Sequence, residues 1–164
     1  MKMVHSDSIM AVDPGTERSA FVSITGPNEP FSILDKGILA NEELLTHISA
    51  RNWCEHFVIE MVASYGMAVG KTTFETVFWI GRFWERVLSL RTQKSMARLF
   101  RKTDVCMHLC QSMRAKDSNV RQALIDRFGE PGVKAKPGAL YGVGTHEWSA
   151  LALATVYRDR LKGA

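Results

Sequence analysis

Ile9-Met10-Ala11-Val12-Asp13-Pro14-Gly15 is the stretch on which the reading of this chain turns. Four unbroken apolar residues predict a short strand, and Asp13-Pro14-Gly15 ends it in a turn. The strand therefore terminates on a carboxylate. Moving outward, Ala20–Thr25 reads as a second strand, Gly26-Pro27-Asn28 as a loop and Phe31–Leu39 as a third strand. Three strands in succession, joined by short turns, predict an antiparallel meander.

Asn41-Glu42-Glu43 supplies a capping residue and early acids for a helix, whose apolar stripe is Leu44, Leu45 and Ile48. His56–Val62 is a fourth strand, apolar along nearly its whole length, as expected when both faces of a sheet are covered. One carboxylate, Glu60, interrupts it. After a glycine-bearing loop, Ser64–Lys71, the run Thr72-Thr73-Phe74-Glu75 has the form of a capping box. The helix it opens, to about Leu90, is apolar almost all round. One face can pack on a sheet, while the other requires either a partner chain or burial within the subunit. A fifth strand is expected within Met96–Leu109, broken near Arg101-Lys102 and resumed through the alternation of Val105, Met107 and Leu109. Ser118 is expected to cap a helix over Asn119–Phe128, Glu130–Gly144 reads as a loop, and Thr145–Leu161 as a last helix. This order predicts an α/β fold of three layers in a single domain, residues 1–164.

The 164 residues include 46% hydrophobic and 23% charged, values that exclude a disordered, collagen-like or disulfide-scaffold chain. No apolar run approaches the ~18 residues of a membrane span. The opening residues, MKMVHSDS, lack the apolar block of a secretory leader. With the odd count of Cys54, Cys106 and Cys110, they point to a reducing cytoplasm. Cys106 to Cys110 lacks the second ligand pair that a zinc site needs. The net charge of +4 is unevenly placed: Arg91–Lys136 holds eleven Lys or Arg against four Asp or Glu, a local +7, and the remainder sums to −3. A basic segment on an otherwise near-neutral chain is the electrostatic footprint of a polyanion-binding face, or else a solvated charged surface.

If the first and fourth strands are neighbours, Asp13 and Glu60 converge. An acid within an apolar strand is costly to bury unless paired, and a hard divalent cation resolves that cost. Two such ions about 4 Å apart can activate water and stabilise the leaving oxygen in phosphodiester hydrolysis. Taken alone, Asp13 is a common turn former and Glu60 a common ion-pair partner. His146 and Glu147, at the start of the last helix, can point toward the same sheet edge.

IMAVDPG (9–15), FVIEMV (57–62), RAKDSNVRQALIDRFG (114–129) and GVGTHEWSALALA (142–154) together resemble the RuvC-like Holliday junction resolvases of the phage or prophage type, within the ribonuclease H-like superfamily. The resemblance covers most of the chain and implies a five-stranded mixed sheet with helices on both faces. It assigns catalytic acids to Asp13 and Glu60. At the C-terminal acidic motif the chain departs from the usual pattern, with His146 where phage-type relatives carry an acid and some cellular members also carry His, and Ser149 at the last Asp of cellular members. The expected metal ligands are therefore Asp13, Glu60 and His146, with Glu147 or Ser149 as candidates to complete the set. Lys116 matches the family's basic motif and is expected near the scissile phosphate. Arg98, Arg101, Lys102 and Arg114 are expected on backbone phosphates. Tyr65 and Lys71, in the loop after Glu60, are placed to reach a branch point.

The implied activity is a Mg²⁺-dependent (or Mn²⁺-dependent) endodeoxyribonuclease that cuts four-way junctions by a two-metal mechanism. It would act as a homodimer joined through Phe74–Leu88, in a bacterial or phage-infected cell. The alternatives are a non-catalytic branched-nucleic-acid-binding module and a nuclease for RNA or hybrids.

Overall fold

The protein is described by a computed structural model covering residues 7–50 and 54–163; the leader reading of the opening residues falls mostly outside them. Strands β1 (Ile9–Asp13), β2 (Arg18–Ile24) and β3 (Ile33–Ala40) form the expected meander. Helix α1 (Asn41–Ala50) leads to β4 (His56–Met61), and α2 (Lys71–Leu90) to β5 (Ser95–Phe100). The sheet order is β3-β2-β1-β4-β5, with β4 parallel to both β1 and β5. Helices α3 (Met107–Cys110), α4 (Asp117–Phe128) and α5 (Glu147–Lys162) follow, with a small hairpin, β6 (Gly132–Val133) and β7 (Lys136–Pro137), between the last two. Among the described residues no helix is long and apolar enough to cross a membrane.

Alternation of side chains along each strand divides the core in two. Ile9, Ala11, Val58 and Leu99 pack with α5 on one face, and Met10, Val12, Phe57 and Ile59 pack with α1 and α2 on the other. The apolar residues of β1 are all buried, which explains why the sequence there shows no polar alternation. Helix α2 packs Ile80, Phe83 and Val87 inward, each worth roughly 1.5–3 kcal/mol of burial, and leaves Phe74, Val77, Phe78 and Leu88 exposed.

Three local expectations are corrected. The segment after β5 is helical, not a continued strand: Arg101–Cys106 forms a π-helical turn that runs into α3, so Val105, Met107 and Leu109 lie on helical turns. Asp104 holds that turn, accepting the Phe100 N–H at 2.7 Å and an Arg160 N–H at 2.5 Å. Thr72 to Glu75 does not cap α2, which starts at Lys71 behind an extended Gly70, so the threonines already lie in its first turn. Ser118 is not the cap of α4 either. The helix starts at Asp117, and Asn119 Oδ1 accepts the Lys116 N–H at 2.9 Å.

Candidate active site

The parity that sorts the core also builds the site. Asp13 shares the face of Ile9 and Ala11, and Glu60 shares the face of Val58, so both carboxylates project toward α5. Val12 pairs with Ile59, and one step further the same register sets Asp13 beside Glu60. In β5, Leu99 pairs with Glu60 and faces α5; Arg101 opens the π-helical turn that follows the strand, and its charge acts on both acids. His146 caps α5 at the same edge, its Nδ1 3.8 Å from Asp13 Oδ2, with its side chain 71% exposed.

The turn that presents Asp13 is fixed by buried polar contacts. A side chain at Gly15 would place its Cβ 2.2 Å from the Arg18 carbonyl oxygen, so only glycine fits. Asn41, which sequence reading treats as a helix cap, reaches back instead. Its Nδ2 donates to the Gly15 carbonyl at 3.0 Å, its Oδ1 accepts from Ser19 Oγ at 2.6 Å, and Ser19 Oγ accepts the Gly15 N–H at 3.1 Å. Asn41→Ala is expected to cost about 1–3 kcal/mol in urea unfolding, because it strands buried donors and acceptors; a loss under a few tenths would show the network to be idle.

Electrostatics mark the acid pair. Burial pushes the Asp13 carboxyl up to about 6, against the partial pull of His146 and Arg101. Burial and the neighbouring Asp13 charge push Glu60 up to about 7, with Arg101 again opposing. The two carboxylates thus share a desolvated site and repel each other there. Their oxygens are the hard donors that suit a divalent cation, and the energy stored in their repulsion is what a cation would release. The residues therefore fit the metal that the sequence led us to expect.

Other expected site residues are more scattered. Glu147 is buried and engaged: its Oε2 accepts the Gly144 N–H at 2.6 Å and lies 3.2 Å from Lys36 Nζ, which also donates to the Gly142 carbonyl at 2.5 Å. Its carboxylate ties down the loop before α5 rather than joining the acid pair. Ser149 is partly buried in the first turn of α5. Lys116 is exposed at the N-terminus of α4, and Arg114 is exposed close by in the segment leading to it. Lys102 Nζ lies 4.4 Å from the centre of the Tyr65 ring, itself 46% exposed. Lys71 is exposed and 3.5 Å from Glu75. Arg98 points to the opposite face, stacked 5.3 Å over Trp84.

The basic segment is accordingly not one uniform face. Lys94 bridges Asp7 and Glu55 at 2.8 Å each, and Arg127 forks onto Asp159. Asp7, Glu55 and His56 offer ligand atoms within 4.8 Å of one another at the far end of the sheet, where Lys94 already supplies the balancing charge. Burial raises the thiols of Cys106 and Cys110, which keeps them protonated and poor metal ligands.

Sequence reasoning missed the inward placement of Arg101, and it missed Asp117 as a site residue. Arg101 Nη2 is 2.5 Å from Asp117 Oδ1, and both charges act on Asp13 and on Glu60. Strand alternation could not have found it, because Arg101 already opens the π-helical turn after β5.

Comparison with solved structures settles the architecture. RuvC of Thermus thermophilus superposes with a TM-score of 0.67 at 14% identity, covering 95% of this chain and 96% of that one. The chain has the RuvC fold. The same RuvC in complex with a Holliday junction substrate gives a TM-score of 0.69 at 12% identity, with 95% of both chains covered. The yeast mitochondrial Holliday junction resolvase Ydc2 gives 0.61 at 9% identity, covering 99% of this chain and 85% of that one. No protein-family model matches the sequence, and no curated protein matches it. The RuvC fold is ribonuclease H-like, the class expected from the sequence.

Proposed function

We propose that this chain is a divalent-cation-dependent endodeoxyribonuclease that cuts four-way junctions and related branched DNA. The observation that carries the reading is the convergence of Asp13 and Glu60, from adjacent parallel strands, on one desolvated edge of a RuvC fold. The neighbours of this fold include a RuvC solved with a Holliday junction and a yeast resolvase, which favours branched DNA as the substrate.

Asp13 and Glu60 would hold Mg²⁺, with Mn²⁺ able to substitute, and His146 is the nearest further donor. Bound there, the cation supplies Lewis-acid stabilisation of charge developing on the phosphodiester oxygens. Everything else falls to the protein. The sheet fixes both carboxylates so that they need not reorganise during reaction. Lys116 and Arg114, exposed at the start of α4, meet backbone phosphates and set register without reading sequence. The Lys36–Glu147 strut holds the turn that carries His146.

Tyr65 projects from the loop after β4 with Lys102 against its ring, an arrangement suited to stacking on an unpaired base at a branch point. Tyr65→Ala should weaken junction binding by about 1–3 kcal/mol, the worth of one stacked base, while binding to linear duplex is unchanged. Equal losses on both substrates would remove the branch-point role. A dimer joined through the exposed face of α2 would bring two sites to two opposing strands, matching the two-fold symmetry of a junction.

The deciding experiment is cleavage by the purified protein in Mg²⁺ or Mn²⁺, comparing labelled four-way junction, linear duplex, RNA and hybrid. Paired nicks in the junction are expected. Tight, salt-sensitive junction binding without turnover would favour the binding-module reading, which the His146 and Ser149 departures make the leading competitor.

A further inference from the structure

Beside the acid site lies an open cavity of about 460 Å³ to which the nuclease reading gives no role. One wall is the start of α4, with Asp117, Ser118 and Arg121. The other is the loop before α5, with Thr145, and Trp148 in the first turn of that helix. Thr145 and Trp148 stand on either side of His146, whose Nδ1 is 3.8 Å from Asp13 Oδ2. The cavity therefore opens beside the histidine that borders the acid pair.

Arg121 gives this cavity its chemistry. Its Cζ lies 4.8 Å from the centre of the Trp148 ring. That ring is 8% exposed and packs in the same core as Leu124 and Leu151, so it is a fixed platform. Stacking occupies the face of a guanidinium and leaves its edge of N–H donors free. The carboxylate that could neutralise Arg121 from within α4 is Asp117, one helical turn back. Asp117 is already taken by Arg101 at 2.5 Å. Among the described residues no carboxylate pairs with Arg121. The result is an immobilised cation facing an open volume, with the hydroxyls of Ser118 and Thr145 on the walls. A volume of this size suits a small group and not a duplex. The donors suit a phosphate, whose oxygens accept from the two arms of a guanidinium and from hydroxyls together.

We propose that the Arg121–Trp148 cavity is a subsite for one backbone phosphate of the cleaved strand, within about three nucleotides of the scissile phosphate. The spacing follows from chain geometry: Thr145 is adjacent to His146, and a DNA strand advances about 3.4 Å per nucleotide. Trp148 is a positioning residue, holding the guanidinium so that little freedom is lost when its edge meets the strand. The contact fixes which phosphodiester sits over Asp13 and Glu60, and it does so without reading sequence. This inference rests on the nuclease reading, which defines the cleaved strand.

The test is a methylphosphonate scan. Junctions with one phosphate at a time made neutral are bound by the wild type and by Arg121→Gln, without a divalent cation so that the DNA stays whole. Arg121 is exposed, so the substitution spares the core. On the unmodified junction Arg121→Gln should weaken binding by about tenfold and lower the slope of log K against log salt by about 1. Arg121→Lys should keep the slope but recover only part of the affinity, because an ammonium has no fork. At one phosphate within about three nucleotides of the cut mapped in Mg²⁺, neutralisation should weaken the wild type by about tenfold and leave Arg121→Gln unchanged. At other phosphates the two losses should add. Additive losses at every position, or coupling only at a distant phosphate, would overturn the subsite and leave the nuclease reading standing as long as the wild type cuts. A wild type that binds the junction yet never cuts it would remove the nuclease reading, and this placement with it.

Discussion

Asp13→Asn and Glu60→Gln are each expected to abolish cleavage and, in the same preparation, to raise the melting temperature of the cation-free protein. The loss follows from removing a ligand whose cation is worth several kcal/mol of transition-state stabilisation, or about 10³-fold and more in rate. The gain follows from linkage. Burial holds Asp13 at about 6 and Glu60 at about 7, above their ordinary values of 3.8 and 4.5. Between about pH 4 and 7 the folded state therefore keeps protons that the unfolded chain has released. Stability falls as pH rises through that window, and the full penalty is present above it. For the two groups together the cost is on the order of 6 kcal/mol at pH 8, which corresponds to roughly 10–20 °C in a domain of this size. The neutral variants lack it, and a divalent cation should cancel it in the wild type. Differential scanning calorimetry at pH 5 and pH 8, with and without Mg²⁺, checks all four corners. If the variants melt lower than wild type at pH 8, the acids are not the strained pair described here.

The second large effect is expected at α2. Charging its outward stripe, as Phe74→Glu with Phe78→Glu, should split the dimer proposed above, because those rings are 64% and 61% exposed in one chain and would be covered in two. Each ring contributes about 150–250 Å² of apolar surface, and a carboxylate cannot be desolvated there without a partner. The dimer dissociation constant should weaken by about 10³-fold or more, a loss of roughly 4 kcal/mol. Sedimentation should report a monomer. Junctions should then be nicked one strand at a time instead of in pairs. A variant that remains dimeric would place the interface elsewhere. Since the substituted side chains face away from the core formed by Ile80, Phe83 and Val87, the fold itself should survive.

Most of the fold was legible because its signals are local. The unbroken apolar run of β1, the interrupted run of β4 and the stripe Leu44, Leu45 and Ile48 each report burial directly. What resisted reading depends on contacts made elsewhere. Val105, Met107 and Leu109 have strand-like spacing, but Asp104 caps the Phe100 N–H and Arg160 grips it from α5, which favours a helical turn. The acid pair was legible for the same reason as the strands. Glu147 follows His146 in the sequence but lies about 100° further round the helix, and the reach of Lys36 across from β3 gives it a partner that the sequence could not name. Arg101 looked like any other base in a basic segment, because its partner Asp117 lies 16 residues on and is brought to it only by the fold.

The parallel join between β1 and β4 has a consequence for how the protein assembles. The meander β1–β2–β3 is made of near neighbours in sequence, but Asp13 meets Glu60 only after the chain has closed a long loop through α1. Contacts across such loops form late and set the folding rate. At neutral pH and without a cation, the joining of β1 to β4 must bring one carboxylate against another. The chemistry that makes this edge useful thus opposes its own construction, and a proton or a metal ion would act there as a folding aid before it acts in catalysis.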